Sequence, residues 1–254
     1  MAAVRPYYAE QSLSAAYYDL LTGMDASLAG DVELYASLAA PGGRVLEVGT
    51  GTGRIAFALA ETGLEVVGVD LAPTMLRQAK AKLAAAPPQV AARIAFVQGD
   101  MTALAVEGPF DAAVYPFFTL AHVPRGAAWR NVFAGLAPQL RSGALAAFHL
   151  PDEAAIARPP PTGPRQPALQ VALAGGQTLS LYIRERRARP DIARYDQVLD
   201  YVLTAPGGRE LRRSSERLTF YAGDPTPFAE EAGLTVDRAP VVLPSGPIHI
   251  FRKP

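Results

Sequence analysis

The sequence predicts an α/β fold built on a parallel sheet with helices packed on its faces. Two observations carry this expectation. From residue 44 onward short apolar runs alternate with helical periodicity, and a glycine cluster stands where the first run ends. A third observation, five prolines within residues 158–167, sets this rhythm apart from a later region of alternating polarity.

Taken in order, residues 12–39 hold two apolar-periodic stretches around Leu20 and Leu34, parted by Thr22, Gly23 and Met24. They read as two short helices forming a lid ahead of the main fold. Residues 44–48 (RVLEV) then stop at glycines, the pattern of a buried parallel strand. Ile55, Leu59 and the intervening alanines mark a helix face that Gly63 ends as a left-handed cap. Residues 65–70 (EVVGVD) form the second strand, and Pro73 opens a helix carrying Met75, Leu76, Ala79 and Leu83. Further strands are expected at 93–98, 110–115 and 144–149, with a helix over 129–140. Beyond the proline-rich linker, TLSLYI, YDQVLDYVL and ERLTFY, with a Pro-Gly-Gly turn at 206–208, read as antiparallel strands covering a substrate. A short helix over 225–232, closed by Gly233, and strands at 234–238 and 248–251 follow. The expected division is a helical lid over 1–40, a cofactor-binding core over 41–157, a β insertion over 158–222, and completion of the core sheet over 223–254.

The 254 residues include 24 basic and 24 acidic side chains, so the electrostatic footprint of a protein that grips a phosphate backbone is missing, and nucleic acid is not an expected partner. Without cysteine, disulfides, thiolate catalysis and iron–sulfur clusters are excluded, and three histidines without a His-x-x-x-His spacing do not suggest zinc. No metal is expected. The opening MAAVRPYYAEQ lacks the apolar core of a signal peptide or the length of a membrane span, so a soluble, cytoplasmic chain with no membrane partner is expected. The oligomeric state stays open, a homodimer being one option.

The chemistry centres on Glu47-Val-Gly49-Thr50-Gly51-Thr-Gly53, where a strand gives way to a helix. Glycines there let a ligand approach the backbone, and the following helix presents free amides. The spacing is Gly-x-Gly-x-Gly, not the Gly-x-Gly-x-x-Gly of dinucleotide enzymes, and Glu47 stands two positions before the first glycine. A carboxylate there repels a pyrophosphate and attracts an ammonium or sulfonium cation. Asp70, ending the second strand, suits the two hydroxyls of a ribose, a role that NAD would also use. Asp100, after the third strand, suits an adenine amino group, with Met101 covering the ring.

With these residues in view, VLEVGTGTGR, VVGVDLAPTML, FVQGDM and FDAAVYPFF resemble the successive motifs of class I S-adenosylmethionine-dependent methyltransferases, over roughly residues 44–150. The resemblance implies a Rossmann-like doubly wound sheet of seven strands with an antiparallel last strand, to which the antiparallel β insertion is added. It implies S-adenosyl-L-methionine as cofactor, held by Tyr18, Glu47, Gly49, Thr50, Gly51, Gly53, Asp70, Leu71, Met75, Asp100, Met101 and Tyr115. A tyrosine-aspartate-leucine segment such as Tyr18-Asp19-Leu20 often reaches the methionine end from a lid in this family.

The acceptor is expected to be a small molecule methylated on oxygen or nitrogen, as in sugar or natural-product metabolism. A non-catalytic or repurposed S-adenosylmethionine-binding protein is the main alternative, a nicotinamide-dependent oxidoreductase a lesser one, and transfer onto a protein side chain a third. His122, just after the fourth strand, is the first candidate base because its ordinary pKa lies near neutrality, against an equally weighted reading as a loop histidine. His149 is a second candidate, against a reading as a strand-end histidine bonded to a neighbouring loop. Tyr8, Phe117 and Phe118 are candidate substrate contacts, since rings can wall a cation, though core packing explains any single ring as well. The segment Tyr-Pro-Phe-Phe carries neither magnesium ligands nor the signature of base-methylating enzymes. Arginines crowd the insertion, from Arg184 to Arg217; solvated strand faces explain them better than an anionic substrate does.

Overall fold

In the computed structural model, which describes residues 4–254, two sheets and the helices between them account for most of the chain. The first three residues of the expected lid, and of the opening stretch, lie outside the described residues. The N-terminal segment expected to form a lid consists of a two-residue strand β1 (Arg5–Pro6) and three short helices, α1 (Leu13–Ala16), α2 (Tyr18–Gly23) and α3 (Asp31–Ala36). The expectation of two helices was one short: Gly23 ends α2, and Gly30, with φ of 89°, starts α3 in a left-handed conformation that a helix cannot continue through.

The core then runs β2 (Arg44–Val48), α4 (Arg54–Glu61), β3 (Glu65–Asp70), α5 (Pro73–Ala85), α6 (Pro88–Ala91), β4 (Ile94–Gln98), β5 (Phe110–Tyr115), α7 (Ala127–Leu136), β6 (Leu140–His149) and α8 (Glu153–Ala157). Pro73 occupies the first turn of α5, where its missing amide costs nothing. The helix read over 129–140 stops at Leu136 because Pro138 cannot continue it; residues 137–139 form a 3-10 turn and Leu140 already belongs to β6. The insertion contributes β7 (Leu169–Ala172), β8 (Thr178–Arg189), β9 (Arg194–Thr204) and β10 (Glu210–Tyr221). The chain closes with α9 (Thr226–Glu231), β11 (Thr235–Leu243) and β12 (Gly246–Arg252).

The larger sheet has seven strands in the order β11-β12-β6-β5-β2-β3-β4. The strands from β6 to β4 are mutually parallel, and β12 inserts antiparallel between β6 and β11. This is the Rossmann-like doubly wound sheet with its reversed last strand. Chain order changes direction between β2 and β5, so the loops after these two strands diverge and leave a crevice at their carboxyl ends. Both faces are covered. On one, Trp129, Phe133 and Leu136 of α7 pack with Phe148 and Phe251; on the other, Ile55 and Leu59 of α4 and Ala79 of α5 pack with Tyr35 and Val45.

The second sheet, β1-β10-β9-β8-β7, is antiparallel except at its edge, where β1 pairs parallel with β10. Its inward face places Leu199, Tyr201, Leu218 and Phe220 in the same apolar cluster as the loop after β5. Four of its arginines pair with two aspartates of β9: Arg184 and Arg213 both meet Asp200 at 3.4 Å, and Arg189 and Arg194 meet Asp196 at 3.2 and 2.9 Å. Among the described residues, no helix is long and apolar enough to cross a membrane.

Candidate active site

The crevice at the ends of β2, β3, β4 and β5 is roofed by the lid and encloses a cavity of about 430 Å³. Its floor is the glycine loop. The glycines there serve two needs. A Cβ on Gly49 would overlap the Thr119 side chain, and one on Gly53 would lie 2.9 Å from the rings of Phe57 and Phe96. Only at Gly51, with φ of 56°, would the Cβ project toward the cavity, 3.6 Å from Met75 Cε and 3.7 Å from Tyr18 Cε1. Gly49 and Gly53 therefore let the loop pack against the protein, and Gly51 lets a ligand reach the backbone. Gly53 does not line the cavity.

Glu47, at 1% exposure, directs its carboxyl into this floor, where Oε2 accepts from Thr50 Oγ1 at 2.6 Å. Burial pushes its pKa up to about 8, against the opposing pull of the Thr50 hydrogen bond and the Arg54 charge. A cation brought alongside would favour the ionised form. Asp70 accepts from Gly51 N at 2.7 Å through Oδ2 and from Ala72 N at 2.8 Å through Oδ1. Burial raises its pKa while these backbone bonds oppose the rise. Beside the ribose contact expected from the sequence, the structure shows the same carboxylate tying the glycine loop to β3. Each oxygen keeps a lone pair free for a ligand. Asp100 caps the turn after β4, its Oδ1 accepting from Thr102 N and Oγ1, both at 2.8 Å, which leaves Oδ2 unengaged.

Of the residues expected at the cofactor, Tyr18, Glu47, Gly49, Thr50, Gly51, Asp70, Leu71, Met75, Asp100 and Met101 line the cavity. Tyr115 does not: it points into the core, stacked on Phe148 at 4.4 Å between ring centroids. The alternation of β5 side chains decides this, since successive residues face opposite sides of the sheet.

At the acceptor end the structure separates the two histidines. His122 lines the cavity beside Tyr7, Tyr8, Pro116, Phe117 and Val123. His122 is exposed by surface area yet sits on the cavity wall with Phe220 at 5.3 Å, and the apolar walls lower its pKa by desolvation. The imidazole is therefore neutral at physiological pH. His149 lies outside the cavity, fully buried behind Phe118. Ser245 Oγ gives its only proton to Ser27 O at 2.8 Å, so His149 Nε2 donates to it at 3.1 Å, and Nδ1 has no partner. Phe118 also stays out of the lining and packs edge-on against Phe220 at 5.6 Å, while Phe117 and Tyr8 reach the cavity. Phe117, Phe118 and Tyr8 all adopt positive φ, at 45°, 67° and 58°, a cost of about 1–3 kcal/mol each that strained functional loops carry.

Sequence reasoning missed Arg54 and Thr119, and pointed to Tyr7 only as one of four N-terminal tyrosines whose rings could wall a cation. Arg54 follows the last glycine and lines the cavity while pairing with buried Asp31. Tyr7 shares a hydrogen bond between hydroxyls with Tyr201 at 2.9 Å, tying the lid to the insertion. None of the nine insertion arginines from Arg184 to Arg217 lines the cavity.

Residues 45–143 match a family model described as "Methyltransferase domain". The ribosomal protein L11 methyltransferase of Thermus thermophilus is 32% identical over 150 residues, 57% of this chain and 53% of that protein. The chain spans between about a quarter and about half the length of the first curated relatives it matches. Solved structures match throughout: the CcbJ methyltransferase from Streptomyces caelestis at TM-score 0.73 and 21% identity, covering 98% of both chains. The sugar N-methyltransferase KedS8 from Streptoalloteichus matches at TM-score 0.72 and 20% identity, covering 100% of this chain and 98% of that one. Residues 45–143 are thus similar to a methyltransferase domain, and the chain as a whole shares the fold of these solved methyltransferases. The cavity fits S-adenosylmethionine: a carboxyl for a cation, a glycine where a Cβ would intrude, and two acids at the ends of β3 and β4.

Proposed function

We propose that the protein transfers the methyl group of S-adenosylmethionine to a nitrogen of a small-molecule acceptor, such as an amino sugar or a related natural-product amine. The single observation that carries this reading is the composition of the cavity's acceptor end. Tyr7, Tyr8, Pro116, Phe117, His122 and Val123 line it, and the charged lining residues Glu47, Arg54, Asp70 and Asp100 all belong to the cofactor end. The sugar N-methyltransferase among the structural neighbours supports the same acceptor class by likeness of fold.

An uncharged aromatic chamber disfavours a charged acceptor group by desolvation and selects the free amine, the form that carries a nucleophilic lone pair. When bound, S-adenosylmethionine supplies an electrophilic methyl group on a sulfonium. Glu47 and the amides of the glycine loop hold the cationic, amino-acid end of the cofactor, and Asp70 and Asp100 hold the ribose and adenine. His122, held neutral, accepts a hydrogen bond from the amine N–H and turns the lone pair toward the reacting carbon. An imidazole is too weak a base to ionise an aliphatic hydroxyl, whereas a free amine needs no ionisation to attack, which favours nitrogen over oxygen.

Incubation with labelled cofactor and a panel of amino sugars, aliphatic amines and hydroxyl-bearing analogues, read by product mass, tests this reading. Methylated amines support it. Products formed on hydroxyls alone would overturn the choice of nitrogen, and cofactor binding without any product would leave a binding protein.

A further inference from the structure

We propose that Asp31, in the lid, is a positioning residue that aims Arg54 at the carboxylate of the cofactor's amino-acid end. This rests on the cofactor reading above and extends it to a residue that does not touch the ligand.

Arg54 opens α4 directly after the glycine loop, and Asp31 opens α3. The two side chains meet fork to fork, Nη1 to Oδ1 at 3.1 Å and Nη2 to Oδ2 at 2.5 Å. Asp31 is 2% exposed, so its carboxylate has no solvent shell to compete with the guanidinium, whereas Arg54 keeps 25% exposure, including its surface on the cavity beside Glu47. A guanidinium has five N–H donors in a rigid plane. Asp31 takes two, and the others meet no partner among the described residues.

A buried ion pair contributes little net stability because desolvation offsets its attraction. Its physical consequence here is orientation: two parallel hydrogen bonds fix the guanidinium plane, which a single bond leaves free to rotate. The pair is electrically neutral, so Arg54 recognises a carboxylate by directed donors and not by excess charge. With Glu47 a few residues away as the receptor for an ammonium, the wall presents an acid and a base suited to an α-amino acid zwitterion. No other arginine or lysine lines the cavity, so carboxylate recognition by a cationic side chain depends on Arg54 and on what aims it.

The test compares S-adenosylhomocysteine with 5′-methylthioadenosine, which keeps the adenosine and thioether but lacks the amino-acid end. Calorimetric titration of the wild type, Asp31→Asn and Asp31→Glu is read as the ratio of the two affinities. Loss of aim costs S-adenosylhomocysteine about tenfold or more in Asp31→Asn, the range for a charge-assisted hydrogen bond, while 5′-methylthioadenosine changes less than about threefold. Asp31→Glu retains the charge at a shifted position and gives an intermediate ratio; it also serves if Asp31→Asn does not fold. An equal loss for both ligands, or an unchanged ratio in the folded variants, would overturn the role of Asp31 and leave the cofactor reading intact. Failure of the wild type to bind S-adenosylhomocysteine would overturn both.

Discussion

Thr119 fills the space in which a side chain on Gly49 would stand: a Cβ built on that glycine overlaps the threonine hydroxyl and methyl. The loop after β5 is thereby seated on the loop after β2, and Thr119 Oγ1 is held in turn by Pro116 O at 2.7 Å. The cofactor floor and the acceptor wall are one interlocked unit.

Gly49→Ala introduces that overlap at a backbone φ of 73°. Left-handed strain and overpacking together predict a loss of about 2–4 kcal/mol. Chemical denaturation measures it. The double variant Gly49→Ala/Thr119→Ala is expected to lose less than the sum of the single changes, and strict additivity would argue against the interlock.

Asp70→Asn keeps one acceptor oxygen in place of two, so the amide of Gly51 or of Ala72 loses its partner. Cofactor affinity is expected to fall by about tenfold or more. Because the acid also holds the glycine loop, hydrogen exchange at residues 50–53 should quicken even without ligand. Unchanged exchange would confine Asp70 to ligand contact.

Glu47 binds a proton in the folded state at a pH where the unfolded carboxyl has released it, its pKa being raised to about 8 from 4.5. Its contribution to stability is therefore fully present below pH 4.5 and is lost as pH rises through 8. Glu47→Gln preserves an acceptor for Thr50 Oγ1 and removes this dependence, so the ligand-free variant should melt higher than the wild type at pH 8 and above. Its cofactor affinity should fall at the same pH. Thermal melts with and without S-adenosylhomocysteine at pH 6 and 9 separate the two effects.

His149 shifts in the opposite sense, drawn down to about 4 from 6.5 by burial. The unfolded chain protonates it first, so the stability it confers is present above pH 6.5 and is lost as pH falls toward 4. His149→Gln should therefore lose less urea stability than the wild type, or gain more, between pH 7 and 5. His122→Gln should lower kcat/KM by about tenfold to a hundredfold without creating or removing a limb near pH 6.5. A limb at pH 6.5 in the wild type that vanishes in His122→Gln would show that the imidazole titrates freely.

The parallel strands at 44–48, 65–70 and 110–115 were legible to the residue, because a buried strand is a local apolar run bounded by glycine or a polar end. Glu47, Asp70 and Asp100 were legible for a related reason: they sit at strand ends, and strand order brings those ends together at the switch point. The third lid helix, the early stop of α7 and the extent of β6 were not, since short elements depend on tertiary contacts as much as on periodicity.

What the sequence by itself determined is the sheet, the loop and the acids, all of which follow from residues close together in the chain. Only the tertiary structure decided that His122 faces the cavity while His149 turns to Ser245, that Tyr115 belongs to the core, and that Arg54 is aimed by an aspartate from the lid. Each of those outcomes depends on which way a side chain points from a backbone whose neighbours lie far away in sequence. Asp31 and Arg54 are 23 positions apart, and Tyr7 and Tyr201 are 194. No local pattern encodes such pairings; they arise when strand ends, lid and insertion close on the same cavity.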